Sequence, residues 1–87
     1  MTVQFRKSFV KDLHALEPDY RPRVEKAIRE IERAASLREL SQLKKLQGRS
    51  GFFRIRVGDY RLGLAVVSGE TTLVRCLHRK EFYRHFP

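Results

Sequence analysis

The chain has 87 residues, 41% of them hydrophobic, and carries 19 Lys and Arg against 10 Asp and Glu, a formal charge of +9. That length predicts one domain over 1–87, since domains typically run to roughly 100–150 residues. A single cysteine excludes an internal disulfide framework and a cysteine-based zinc cluster, and the lack of any apolar run near the roughly 18–20 residues of a membrane span predicts a soluble, cytoplasmic chain with no membrane partner.

Val3 and Phe5 alternate with polar neighbours and predict a short first strand. Ser8 is positioned to cap a helix over Phe9–Leu16, in which Phe9, Leu13 and Leu16 recur at helical spacing. Pro18 breaks the pattern. A second helix is expected from about Asp19 or Tyr20 to Ala35, with Val24, Ala27, Ile28 and Ile31 as its apolar stripe. Residues 36–47 are ambiguous: Leu37, Leu40 and Leu43 suit either a packed loop or a short helical turn. A strand then opens between Gly48 and Phe53 and runs to Val57. Gly58-Asp59 is a two-residue hairpin signal with glycine first, as a type II′ turn wants. The next strand spans Tyr60–Val67, Ser68-Gly69-Glu70 turns, and a last strand spans about Thr71–His78. Arg79–Phe86 follows as a short helix or tail. The sum is an α+β domain: an N-terminal strand and a two-helix hairpin packed on an antiparallel meander.

The hairpin fixes where the arginines go. A two-residue loop places Val57 opposite Tyr60, Arg56 opposite Arg61, Ile55 opposite Leu62, Arg54 opposite Gly63 and Phe53 opposite Leu64. Phe53, Ile55, Val57, Tyr60, Leu62, Leu64 and Val66 then face the helices. Arg54, Arg56 and Arg61 share the other face beside the small residues Gly63 and Ala65. If Val74 and Cys76 face the core, Arg75 and Arg79 join the basic side. Like charges directly opposite on a sheet oppose folding, so three arginines with no acidic residue among them suggest an anion site. Lys44, Lys45 and Arg49 form a basic run that suits contact with a nucleic-acid backbone. An excess of nine positive charges points the same way, because neutralising phosphates releases condensed counterions.

At these residues the chain resembles the RelE/ParE toxin superfamily of bacterial type II toxin–antitoxin systems. The resemblance runs from Phe5-Arg6-Lys7-Ser8-Phe9-Val10-Lys11-Asp12-Leu13 through Leu43-Lys44-Lys45-Leu46-Gln47-Gly48. It is strongest over Phe53–Leu62 and over His78-Arg79-Lys80-Glu81-Phe82-Tyr83-Arg84. It implies a RelE-like fold and a RelE-type activity: metal-independent endonucleolytic cleavage of messenger RNA in the ribosomal A site, which inhibits translation without a metal or other cofactor. It also implies the ribosome, messenger RNA and a cognate antitoxin protein as partners. In this reading the substrate's 2′-OH attacks the adjacent phosphorus. Arg61 holds the phosphorane, Arg54 and Arg56 support its charge, and Tyr83 acts as base. Arg79 stabilises developing charge, and it or His78 assists the leaving oxygen. His85 and Glu81 are reserve acid–base groups, and Arg75 joins Lys44, Lys45 and Arg49 in binding RNA. Two features depart from the best-known pattern: arginine stands where lysine occurs on the first hairpin strand, and the Arg79-to-Tyr83 interval is short. The alternatives are a ParE-like toxin that inhibits gyrase and a non-catalytic nucleic-acid-binding member of the same fold.

Overall fold

The computed structural model describes all 87 residues. In chain order they form β1 (Val3–Phe5), α1 (Lys7–His14), α2 (Arg21–Arg33), β2 (Leu43–Lys45), β3 (Phe52–Val57), β4 (Tyr60–Val67), β5 (Glu70–His78) and α3 (Arg79–His85), with one 3₁₀ turn at Leu37–Glu39. The five strands make a single sheet in the order β1-β5-β4-β3-β2. The expected meander is its centre, and the turn that builds it is legible: Gly58 takes a φ of +58° and Asp59 stays outside the left-handed region, the pattern of a type II′ hairpin. Val57 pairs with Tyr60, Arg56 with Arg61, Ile55 with Leu62, Arg54 with Gly63 and Phe53 with Leu64, the register expected from sequence.

The sheet is larger and more mixed than expected. Leu43, Lys44 and Lys45 form β2, paired antiparallel with Ile55, Arg54 and Phe53. Three residues are too few for a period-two pattern to emerge, and the leucines at 37, 40 and 43 imitate helical spacing. β1 runs parallel to β5, so the sheet is not purely antiparallel. A parallel pair needs a long connection, and here almost the whole domain supplies it.

A bulge changes the last strand. Leu62 pairs with Cys76 and Gly63 with Arg75, but Leu64 pairs with Leu73, leaving Val74 as an extra residue. Leu73 and Cys76 are therefore the buried core residues of β5, at 0% and 2% exposure, and the expectation for Val74 is corrected by one position. α1 packs along the edge of β5 beyond its pairing with β1. Ser8 does not cap this helix; Arg6 occupies the N-cap without a side-chain bond. Instead the Ser8 Oγ donates to the Val74 carbonyl at 2.6 Å, and Asp12 Oδ2 accepts from the Cys76 amide at 2.9 Å. One helical turn apart, these two side chains take the place of a neighbouring strand and shield the edge.

The helix side of the sheet holds the main core: Phe9, Val24, Ile31, Ile55, Leu62, Leu64, Leu73 and Cys76. Val24 and Ile31 come from the predicted stripe of α2, whose first turn accommodates Pro22. Val66, expected in this set, is only half-buried and lies outside the cluster. The opposite side holds a second apolar layer. Phe82 and Phe86, at 0% and 4% exposure, lay α3 and its end onto the sheet, with the Phe86 ring edge-on to Phe52 at 5.7 Å. A Cβ on Gly63 would sit 2.8 Å from the Phe86 ring. Gly63 thus makes room for an aromatic ring, where the sequence suggested room for a phosphate.

Burial pushes the Cys76 thiol up to about 12, with Asp12 acting in the same direction. Since the folded value lies above the unfolded one, the folded state holds its proton longer, and this contribution to stability is present at neutral pH and lost as pH climbs from the ordinary thiol range towards 12. Denaturant midpoints should fall between pH 8 and pH 10, and Cys76→Ser should reduce that fall.

Candidate active site

β3 and β4 carry Arg54, Arg56 and Arg61 to the α3 side of the sheet. Arg54 lies opposite Gly63, and Arg56 opposite Arg61. None of the three forms an ion pair with a carboxylate. Arg61 is half-buried, and its Nη1 donates to the carbonyls of Gly58 at 2.8 Å and Tyr60 at 3.0 Å. Burial lowers the Arg61 guanidinium from its ordinary value, and the positive charges of Arg54 and Arg56 lower it further. Tyr83 acts in the opposite sense and Arg79 adds weakly to the lowering. Arg54, Arg56, Tyr83 and Arg79 are thus the neighbouring groups whose charge acts on this guanidinium. The Nε of Arg54 is buried with no hydrogen-bond partner. A buried donor left unpaired is costly; the Nη1 of the same guanidinium approaches the Gln42 carbonyl at 3.5 Å.

β2 adds a cation that the sequence left in a loop. Lys44 lies directly opposite Arg54, so it extends the basic row along the same face. Lys45, one residue on, pairs with Phe53 and belongs to the other face by alternation. Arg49 is exposed in the connection between β2 and β3.

α3 supplies the remaining side chains. Phe82 and Phe86, four residues apart, set its buried face. Arg79 and Tyr83, also four apart, then share a neighbouring flank. The Tyr83 ring meets Phe82 edge-on at 5.0 Å but is 61% exposed, so its hydroxyl is open to a ligand. Glu81 approaches Arg84 at 3.9 Å and His85 at 3.7 Å, which groups the two reserve residues with each other.

Two further expected members stay outside the cluster. Arg75 donates from Nε and Nη2 to the two carboxylate oxygens of Asp12 at 2.8 and 3.1 Å, a bidentate pair that accounts for its charge. Sequence could not show this, because the partners lie 63 residues apart. His78 pairs with Tyr60, on the helix side, and stacks edge-on against its ring at 5.4 Å. Its Nδ1 accepts the Lys80 amide at 3.2 Å, so His78 is the N-cap of α3. A residue two positions from Cys76 along the strand shares its face, and that signal was available.

A concavity of about 560 Å³ lies between α2, residues 39–42 and β3. Of the arginine cluster only Arg56 reaches its wall. Its lining also includes Ala27, Ile31 and Ile55.

What this surface can do follows from its composition. Convergent guanidinium groups bind and stabilise phosphate oxygens, most strongly where water is partly excluded. No helix of the chain is long and apolar enough to cross a membrane.

Comparison with known proteins agrees across sequence and structure. The family model described as ParE toxin of type II toxin–antitoxin system, parDE, matches residues 3–83. Toxin RelE3 of Methanocaldococcus jannaschii is 43% identical over 89 aligned positions, covering 100% of both chains. A chain of the RelB–RelE antitoxin–toxin complex from Methanococcus jannaschii superposes with a TM-score of 0.82 at 39% identity, covering 98% of this chain and 100% of that one. The RelBE2 toxin–antitoxin complex from Mycobacterium tuberculosis matches with a TM-score of 0.60 at 32% identity, over 90% and 96% of the two chains.

Proposed function

This chain belongs to the ParE toxin family of type II toxin–antitoxin systems, with RelE-type relatives along its whole length, and we propose that it is a ribosome-dependent endoribonuclease that cuts messenger RNA in the A site. The observation that carries this reading is the gathering of Arg54, Arg56 and Arg61 on one face without carboxylate partners, with Arg79 and the exposed Tyr83 on the helix whose end packs on that face. A surface retained only for solubility would mix signs. A phosphorane, with negative charge on its equatorial oxygens, is the species such a surface suits.

The reaction is a transesterification. The 2′-OH gives its proton to the phenolate form of Tyr83 and attacks phosphorus, the P–O5′ bond breaks, and the departing 5′-oxygen takes a proton from water, leaving a 2′,3′-cyclic phosphate and a 5′-OH. Arg61 binds the equatorial oxygens, and Arg54, Arg56 and Lys44 hold the flanking backbone. Arg79 stabilises charge on the departing oxygen. His78 shapes the start of α3 as its cap and lies on the helix side against Tyr60, away from the arginine face, so the departing oxygen is left to Arg79. The small chain binds phosphates more readily than it reads bases, so the ribosome supplies substrate orientation. Its inhibitor is a cognate antitoxin, as in the complexes of its relatives, and the excess positive charge favours an acidic one.

The test is a cell-free translation reaction in which 3′ ends are mapped on the message. Cuts at A-site codons support the reading. Intact message together with blocked gyrase supercoiling would replace it with the ParE-like alternative. Tyr83→Phe tests the base separately, since it keeps the ring on Phe82 and removes only the hydroxyl. Single-turnover cleavage should fall by roughly 10²–10⁴-fold; a loss of less than a few-fold would transfer the role to His85 or Glu81.

A further inference from the structure

The hairpin turn holds both arginines that the proposed reaction uses most. The carbonyl of Gly58 accepts Arg61 Nη1 at 2.8 Å. The carbonyl of the next residue, Asp59, accepts the Arg79 amide at 2.7 Å. The Asp59 carboxylate stands 3.7 Å from Arg79 Nε. From behind, the Asp59 amide donates to the Tyr20 hydroxyl at 3.1 Å, and that ring is fixed between Tyr60 at 4.6 Å and the Arg23 guanidinium at 4.7 Å. Even the glycine is constrained: a Cβ on Gly58 would lie 2.6 Å from Arg23 Nη2 and 2.9 Å from the Tyr20 hydroxyl.

We propose that the Gly58–Asp59 turn, buttressed by Tyr20, is the device that sets Arg61 and Arg79 at a fixed separation, and that Asp59 is its positioning residue. The proposal rests on the nuclease reading for its catalytic consequence, while the clamp itself is a property of the fold. The Asp59–Arg79 pair is well exposed on both sides, at 58% each, and such pairs add little to folding. Its effect is directional: it holds the Arg79 side chain against the same hairpin turn whose Gly58 carbonyl takes the Arg61 guanidinium. α3 has only seven residues and would not hold its first side chain in register alone. Tyr20 touches none of the reacting groups, yet its hydroxyl is one hydrogen bond from the residue that does the holding.

Asp59→Asn is the discriminating variant, because asparagine keeps the turn preference and removes the charge. We expect kcat for message cleavage to fall roughly tenfold, in line with the sensitivity of oriented sites to small displacements, with KM changed less than twofold. The Arg79 Nε–H resonance should shift and become more mobile while the Phe82 and Phe86 ring signals hold. Tyr20→Phe should act in the same direction and speed exchange of the Asp59 amide at least several-fold. Wild-type values of either kcat or the Arg79 signal in Asp59→Asn would overturn the proposal. The resonance measurement needs no activity: if the wild-type protein cuts no message, the nuclease reading fails by itself and the Arg79 signal alone decides the clamp.

Discussion

Arg61→Ala should leave a folded protein whose cleavage of ribosome-bound message is slower by roughly 10²–10³-fold, about 2.7–4 kcal/mol of lost transition-state stabilisation. The two halves of that expectation have separate causes. Folding does not need the charge: Arg61 faces Arg56 across the hairpin, and removing one of two opposed cations relieves repulsion. The cost is limited to two hydrogen bonds onto the turn, so the melting temperature should move by only a few degrees. The proposed reaction does need it, because Arg61 is the half-buried guanidinium on which the charges of Arg54, Arg56, Tyr83 and Arg79 act. Arg61→Lys should recover part of the rate, since an ammonium keeps the charge and loses the planar fork. A rate within fivefold of wild type in Arg61→Ala, with fold intact, would remove the phosphorane role.

The centre of this site could be read from the sequence because one local rule determined it. A two-residue turn fixes register, register fixes alternation, and alternation puts Arg54, Arg56 and Arg61 on one face. The parts that could not be read depend on contacts without a local rule. The bulge at Val74 is set by the fit of α1 against the edge of β5, where Ser8 and Asp12 take the freed backbone groups. The loss of Arg75 to Asp12 follows from that same packing. β2 is recognisable only as a partner of β3, and without it Lys44 has no assigned face. The family resemblance supplied roles for Arg79 and Tyr83, but not the reason those side chains arrive. That reason is the aromatic pair at 82 and 86, whose i,i+4 spacing was visible and whose receiving surface, Phe52 and Gly63, was not.

Phe82→Ala should abolish activity by releasing α3 while leaving most of the sheet folded. Truncating a fully buried phenylalanine typically costs about 3–5 kcal/mol, a large share of the roughly 4–13 kcal/mol expected for 87 residues. Here the loss has a cheaper outlet. Phe82 is completely buried and packs on Phe86 at 5.1 Å, but both belong to the last nine residues, on the side of the sheet opposite the main core. A seven-residue helix is unstable alone, so when its anchor is lost the segment detaches before the core opens, and the penalty is capped at the free energy of docking. Detachment carries Arg79 and Tyr83 away from Arg61 together. Amide exchange in 80–85 should then approach that of a free peptide, while amides of β3, β4 and β5 stay protected. The rate loss should match or exceed that of Tyr83→Phe. Phe82→Leu, which refills most of the volume, should restore both protection and cleavage. If 80–85 remained protected in Phe82→Ala and cleavage persisted, α3 would be held by its N-terminal contacts with Asp59 and His78, and the aromatic layer would not be what brings Tyr83 to the arginines.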